Sequence, residues 1–508
     1  MAKIRGLLRS FDKNSRAALF PILIHLSITI PLAAALNIWI DEAHTMNTIS
    51  GSLSHTLDRA MSFEMQPPLY FIFMNLWARL GSSVLFLRLF SVLCMISAIW
   101  LASRISKSMF PELHPGWLPL AVAINPYAIW AATEMRLYAF LVLLTSALLL
   151  TFYQGFLSDD PAAKGKRKWF FVFCVLSLYT QYYAAFLLTA MFLGLVLLKR
   201  WGPLKKLAGY YVLVVASVLP ILLAAVRQTA QHRKFMIADN GVLNYLSVGT
   251  RFLRYLLRLE WMPSPIYMFI YTACLAGFLG FIMKHRKNLR DVHKMIGVMI
   301  LIVTVFYLAS MPFVNNELVN TRHTTVLFIP ALLLLVAALS LLPADRRRKS
   351  AIGALLVMAL ANAIYMVGEY SPMAKFGDSR RVAEYIANNE VSGQPILVFI
   401  SELALPFAYY YSGKNIVIPI PDKAPTTYYD VNDFALKSEQ DITRAVDREG
   451  LRPEYVWVVT WGLCEYLGVD YHCEILEKYI QNSFTVEDDK SFYHSRVRLL
   501  RLKNISGP

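Results

Sequence analysis

Hydrophobic and polar positions alternate along this chain in long blocks. Apolar runs recur at 17–39, 84–103, 118–133, 136–157, 169–181, 183–198, 207–226, 264–283, 294–312, 322–342 and 350–368, separated by short polar stretches. A helix needs about 20 apolar residues to cross a bilayer, so the pattern predicts about eleven transmembrane helices. Residues 169–198 read either as one long helix or as two tightly joined ones. The segment "PPLYFIFMNLWARLG" (67–81) is shorter, opens on Pro-Pro and carries Arg79. It predicts a helix lying along the membrane interface rather than across it.

The pattern changes near residue 370. From there to 508, polar and apolar residues mix, and helix-like stretches ("SRRVAEYIANNE", "SEQDITRAVDREG", "CEILEKYIQN") alternate with strand-like runs ("PILVFI", "NIVIPI", "YVWVVTW", "RVRLLRL"). This alternation predicts a small α/β domain. The expected fold class is mainly α, a polytopic helical membrane domain over 1–369 with an extra-cytoplasmic α/β domain over 370–508. The membrane part has a first outer loop at about 39–83 and a long outer loop at about 227–262.

Composition agrees. Of 508 residues, 56% are hydrophobic and 17% charged, and the mean hydropathy is +0.45, too apolar for a soluble protein of this size. The basic N-terminus runs into an apolar segment too long for a signal peptide, with no small-residue cleavage site closing it, so it predicts a first span. Basic clusters at 1–16, 104–107, 164–168, 199–206, 284–294 and 346–349 all fall on the side of the N-terminus when counted through the spans. The positive-inside rule makes that side cytoplasmic. The net charge of +16 is thereby a topology signal, and it does not point to nucleic acid. Cys94, Cys174 and Cys274 lie in apolar runs as packing residues, whereas Cys464 and Cys473 lie in the outer domain and either pair or stay free.

Polar residues gathered at a membrane boundary are candidates for function. Asp41 and Glu42, in "NIWIDEAHT", follow the first apolar run, where the end of a helix presents partial negative charge and disfavours carboxylates without compensation. Partial desolvation there suits a general base. In "FEMQPPLY", Pro67 and Pro68 hold Glu64 and Gln66 near the surface. "NPYAIWAATEMRLYAF" places Glu134, Arg136 and Tyr138 between two spans. In the long outer loop, "RFLRYLLRLEW" puts Arg251, Arg254 and Arg258 at i, i+3 and i+7, one basic stripe of an amphipathic interfacial helix. Arg227, Arg233 and Lys234 add to its charge. Arg322 and His323 open a late span, where a guanidinium can grip a phosphate. A carboxylate base with arginines for an anion suits transfer of a group from a phosphate-bearing lipid to a hydroxyl.

The stretches "WIDEAHT", "QPPLYFIFMNLWARLG" with "FLRLFSVL", "NPYAIWAATEMRLYAF" and "TRHTTVLFIPALLLL" occur in that order, and the set resembles GT-C glycosyltransferases. The resemblance extends to the protein-O-mannosyltransferase-like branch (family 39), which includes bacterial enzymes that transfer sugars to lipid A or lipopolysaccharide. It covers about residues 17–370. It implies an inner-membrane inverting transferase acting at the outer, periplasmic face. The donor would be a polyprenyl-phosphate sugar and the acceptor an envelope glycolipid, glycan or protein. Carried over by position, it implies that Asp41 is the base and Glu42 its companion acid. Gln66, Pro67 and Pro68 match the segment before a Pro-Pro, Arg136 and Tyr138 an Arg-x-Tyr, and Arg322 the arginine near the donor phosphate. His323 stands where Tyr is common, and Gln66 replaces a residue that could bind a divalent metal (Mg, Mn or Zn), leaving Glu64 and Asp41 as candidate ligands. The alternative function is a transporter or lipid flippase with a periplasmic accessory domain. The boundary location of the polar residues and the lack of repeated halves speak against it.

Overall fold

The computed structural model describes residues 13–158, 163–231, 242–312, 321–423, 428–450, 453–466 and 468–503. Arg233 and Lys234 lie outside them. All eleven apolar runs are helical. Among the described residues, seven helices have the length and apolarity to cross a membrane: Ala17–Ala35, Val84–Met109, Tyr138–Leu157, Trp201–Gln228, Ser264–Lys284, Asp291–Ser310 and Ala344–Tyr370. The other four are shorter. The run 118–133 breaks at Asn125 into Trp117–Ala123 and Pro126–Ala132, and 169–198 resolves into Ala163–Leu178 and Ala184–Leu197. The late apolar run forms Thr325–Ser340. The 67–81 stretch folds as Leu69–Ala78, half the length of a span. The chain is a multi-pass membrane protein.

Chain packing divides into two units: Met1–Ala34 with Gln66–Glu369, and Ala35–Met65 with Tyr370–Pro508. The segment 35–65, read from sequence as the end of the first span and the start of the outer loop at about 39–83, thus belongs to the same compact unit as the C-terminal residues.

In the first unit, Val84–Met109 packs on Tyr138–Phe152, and both helices bury small residues, Ala98 and Ala102 on one and Ala139 and Ala147 on the other, of the kind that lets membrane helices approach closely. Arg88 is fully buried and donates through Nη1 to the Ala33 carbonyl at 2.9 Å. A cation there compensates the open carbonyls at the C-terminus of the first helix. Cys94 and Cys174 are buried as expected, but Cys274 is exposed. Its helix, Ser264–Lys284, turns most of its apolar surface outward, as a lipid-facing helix does.

In the second unit the C-terminal residues form a five-stranded sheet in the order β2-β1-β3-β7-β6. The strands are β1 Ile396–Phe399, β2 Val417–Ile420, β3 Tyr455–Trp461, β6 Phe484–Phe492 and β7 Ser495–Leu502; β4 Glu465–Tyr466 and β5 Val469–Asp470 make a separate hairpin. β1 lies parallel to β2 and β3, and β7 runs antiparallel to β3 and β6. Strand β1 is buried along its whole length, which is why "PILVFI" reads as a continuous apolar run. On Ser379–Asn389, Val382, Ala383 and Ile386 face the core. Cys464 and Cys473 are joined in a disulfide beside the β4–β5 hairpin. Trp457 is 1% exposed at the centre of this core, its indole N–H donating to Gln394 at 3.0 Å. Trp457→Ala is expected to cost about 3–5 kcal/mol, read as a lowered unfolding midpoint of the purified protein in detergent.

Candidate functional site

The carboxylate pair sits differently from the sequence expectation. The first helix ends at Ala35, and a new one, Ile40–Ile49, starts with Asp41 and Glu42 in its first turn. Both acids therefore meet the positive end of a helix dipole, not the negative end. What looked like an electrostatic cost at a helix exit is a stabilising placement at a helix entry.

The approach to this helix is stitched within the second unit. The Lys375 backbone N–H donates to Asn37 Oδ1 at 2.7 Å, the Ile38 N–H donates to Tyr410 Oη at 2.8 Å, and Arg380 donates to the Ala35 carbonyl at 3.0 Å. Glu42 is fully buried, and its Oε2 is held by Lys375 Nζ at 2.8 Å. Asp41 keeps part of its surface exposed. One turn on, His44 Nε2 lies 3.4 Å from Glu402 Oε1, both side chains nearly buried. His44 packs on Phe63 and Tyr429, at ring distances of 4.8 and 6.4 Å. Burial, with Glu402 and Asp41 among the neighbouring charges, pushes the Tyr429 phenol well above its usual range, so it stays a neutral hydroxyl. Glu64 accepts from the Thr48 hydroxyl at 3.0 Å, and the Arg59 guanidinium lies over the Phe63 ring at 4.4 Å.

The arginines and the histidine belong to the first unit. Arg136, Arg251 and Arg322, from distant parts of the sequence, all lie near enough to bear electrostatically on the buried His323 imidazole. Tyrosines position them. The Tyr255 hydroxyl donates to the Thr321 carbonyl at 2.8 Å and lies 2.9 Å from Thr324 Oγ1; the Tyr307 hydroxyl donates to the His323 carbonyl at 2.9 Å; Tyr127 bonds Thr325. Asn125 caps the Pro126–Ala132 helix by accepting from the Tyr127 N–H, and its amide donates to the Tyr255 carbonyl at 2.6 Å. The Tyr138 ring stacks on Trp130 at 4.9 Å. Glu134 is buried, and its carbonyl accepts from Ser91. Pro67 and Pro68 are buried ahead of Leu69–Ala78, and Gln66 Oε1 is enclosed without a hydrogen bond among the described residues.

The expected amphipathic helix over 251–258 is not formed. Helix covers only Arg251–Arg254, and the chain then turns around Tyr255, which is fully buried. Side-chain packing of that tyrosine overrides the periodicity of the stripe. The three arginines also turn inward and differ from one another. Arg254 and Arg258 share Glu260, at 3.5 and 3.4 Å, and lie over Tyr267 and Tyr365. Arg251 is 5% exposed, and its Nε and Nη1 make no hydrogen bond among the described residues. A buried guanidinium with open donors can bond an anion.

Sequence reading missed Lys375, Glu402 and the tyrosine cage. Tyr127 lay inside a quoted stretch, but tyrosines in apolar runs carry no signal that separates a cage from a membrane-interface belt.

No family model and no curated protein matches the sequence. Solved structures do. ArnT from Cupriavidus metallidurans bound to undecaprenyl phosphate aligns with a TM-score of 0.58 at 14% identity, covering 96% of this chain and 99% of that one. The oligosaccharyltransferase AglB from Archaeoglobus fulgidus, in complex with an inhibitory peptide and a dolichol-phosphate, aligns with a TM-score of 0.50 at 9% identity, over 97% of this chain and 75% of that one.

Proposed function

From a chain with the GT-C fold of these membrane proteins, we propose an inverting glycosyltransferase that moves a sugar from a polyprenyl-phosphate donor to a hydroxyl of an envelope glycolipid, glycan or protein. The observation that carries this reading is buried Arg251, whose Nε and Nη1 have no hydrogen bond among the described residues, with Arg136 and Arg322 bearing on the same His323 imidazole. Both neighbours whose names include a lipid phosphate, undecaprenyl phosphate or dolichol-phosphate, agree with such a donor.

In the proposed reaction the Asp41 carboxylate accepts the proton of the acceptor hydroxyl. The acceptor oxygen attacks the anomeric carbon as the bond from that carbon to the phosphate oxygen breaks. The electron pair leaves with the phosphate, and the arginines stabilise the charge that grows on it. Glu42 is committed to Lys375, which favours Asp41 as the base. A metal finds less support. Among the described residues, Asp41 and Glu64 join no group of three clustered ligands, the one such group being Asp470, His472 and Glu474 at the surface. No step is therefore routed through an ion.

The six basic clusters support an active side facing away from the cytoplasm, the periplasmic face of a bacterial inner membrane. The alternative, a transporter or flippase, gives neither the buried arginines nor the Asp41 carboxylate a chemical step to perform. The test is mass spectrometry of envelope glycolipids, glycans and glycoproteins from the source bacterium with and without the gene. Loss of one sugar substituent on deletion is the expected result, and identical profiles would sink the reading.

A further inference from the structure

We infer that Lys375 is a positioning residue for the reaction: it fixes Glu42 and the start of the Ile40–Ile49 helix, and so aims Asp41. The inference rests on the reading of Asp41 as the base.

Two adjacent acids cannot be assigned roles from their order in the chain. Their surroundings separate them. Glu42 is fully buried, and its carboxylate meets an ammonium at 2.8 Å that is itself only 9% exposed. A buried carboxylate is tolerated when it is paired and becomes strongly unfavourable when its partner is removed. Lys375 grips the same stretch twice, since its backbone N–H also donates to Asn37, two residues before the N-cap Trp39. One residue of the C-terminal segment therefore sets both the entry path of the helix and the charge at its third position. Asp41 lies between these two anchors. Its backbone carbonyl accepts from Thr45 at 3.1 Å, which fixes the first turn further. The pairing also disfavours Glu42 as the proton acceptor, because its Oε2 is held by the Lys375 ammonium in a buried environment.

The chemistry makes an asymmetric prediction. Removing the ammonium alone leaves a buried anion that either draws in a proton or pulls the helix towards water, and either response moves Asp41. Removing both charges leaves a neutral, well-filled contact.

The experiment uses the full-length protein in membrane vesicles from the source bacterium, with its endogenous donor and acceptor, and reads modified acceptor by mass spectrometry per folded molecule. Lys375→Met is expected to lower turnover about tenfold or more, since small misplacements of a catalytic group are costly. Binding of undecaprenyl phosphate to the purified variant stays as in the parent. Lys375→Arg retains turnover within about threefold, and the double variant Lys375→Met with Glu42→Gln returns to the level of Glu42→Gln alone, the coupling expected of residues that act as one unit. Lys375→Met at parental turnover, or a double variant no better than Lys375→Met, overturns the inference. If Lys375→Met fails to fold, the double variant decides: recovery of folded, active protein supports the coupling, and failure overturns it. Full activity in Asp41→Asn would sink the base assignment instead. Hydrogen exchange over residues 37–49 then tests the pair by itself, with opening in Lys375→Met and reclosure in the double variant as the supporting result and unchanged protection as the opposing one.

Discussion

Asp41→Asn is expected to lower turnover about 10²- to 10⁴-fold, the usual worth of a general base, while leaving the amount of folded protein unchanged. Asparagine keeps the size and most of the hydrogen bonding of the side chain but cannot take a proton. The position lies in the first turn of its helix. The lost charge–dipole attraction is worth only about 0.3–1 kcal/mol at such a site. The measurement is a time course of acceptor modification in membrane vesicles. Turnover within about tenfold of the parent would remove Asp41 from the chemistry, because that loss is below what a base supplies.

Arg251→Ala is expected to cost about 10²- to 10³-fold in turnover, the range seen when one donor to a developing oxyanion is removed, and to weaken undecaprenyl phosphate binding as well. Among the described residues, Arg251 has two nitrogens without a hydrogen bond, Nε and Nη1, whereas Arg254 and Arg258 each keep only an open Nε and pair with Glu260. Arg258→Ala would remove one of the two arginines that share Glu260 and uncover the Tyr365 ring that Arg258 covers. Its effect is expected mainly in thermal stability, not in turnover per folded molecule. Equal losses of turnover from the two variants would mean that the stripe works as a diffuse field and not as one aimed guanidinium.

Much of the fold was legible in the sequence because its signals are local. Long apolar runs identified the helices, and short β-branched runs such as "YVWVVTW" identified strands that fall within a residue or two of the observed ones. Strand β6 was missed. "FTVEDDKSF" carries three consecutive acids, and it is tolerable as a strand only because it pairs at the sheet edge with most of its side chains exposed. Of the site, the residue types were legible and their partners were not. Nothing near Glu42 announces Lys375, 333 positions away, and nothing near Arg136 announces Arg251. Helix boundaries misled in two places. The four residues between Ala35 and Ile40 reversed the dipole that Asp41 meets, and the turn at Tyr255 ended a helix that periodicity would have continued.

The bond between Glu42 and Lys375 also sets a timetable. Ribosomes extend chains at about 5–20 residues per second, so the lysine emerges tens of seconds after the acid it must hold. Through that interval the helix bearing Asp41 lacks its anchor, and a chain ending before residue 370 never acquires it. The buried pair that fixes this helix is therefore completed only with the last part of the polypeptide, and a prematurely terminated chain never forms it.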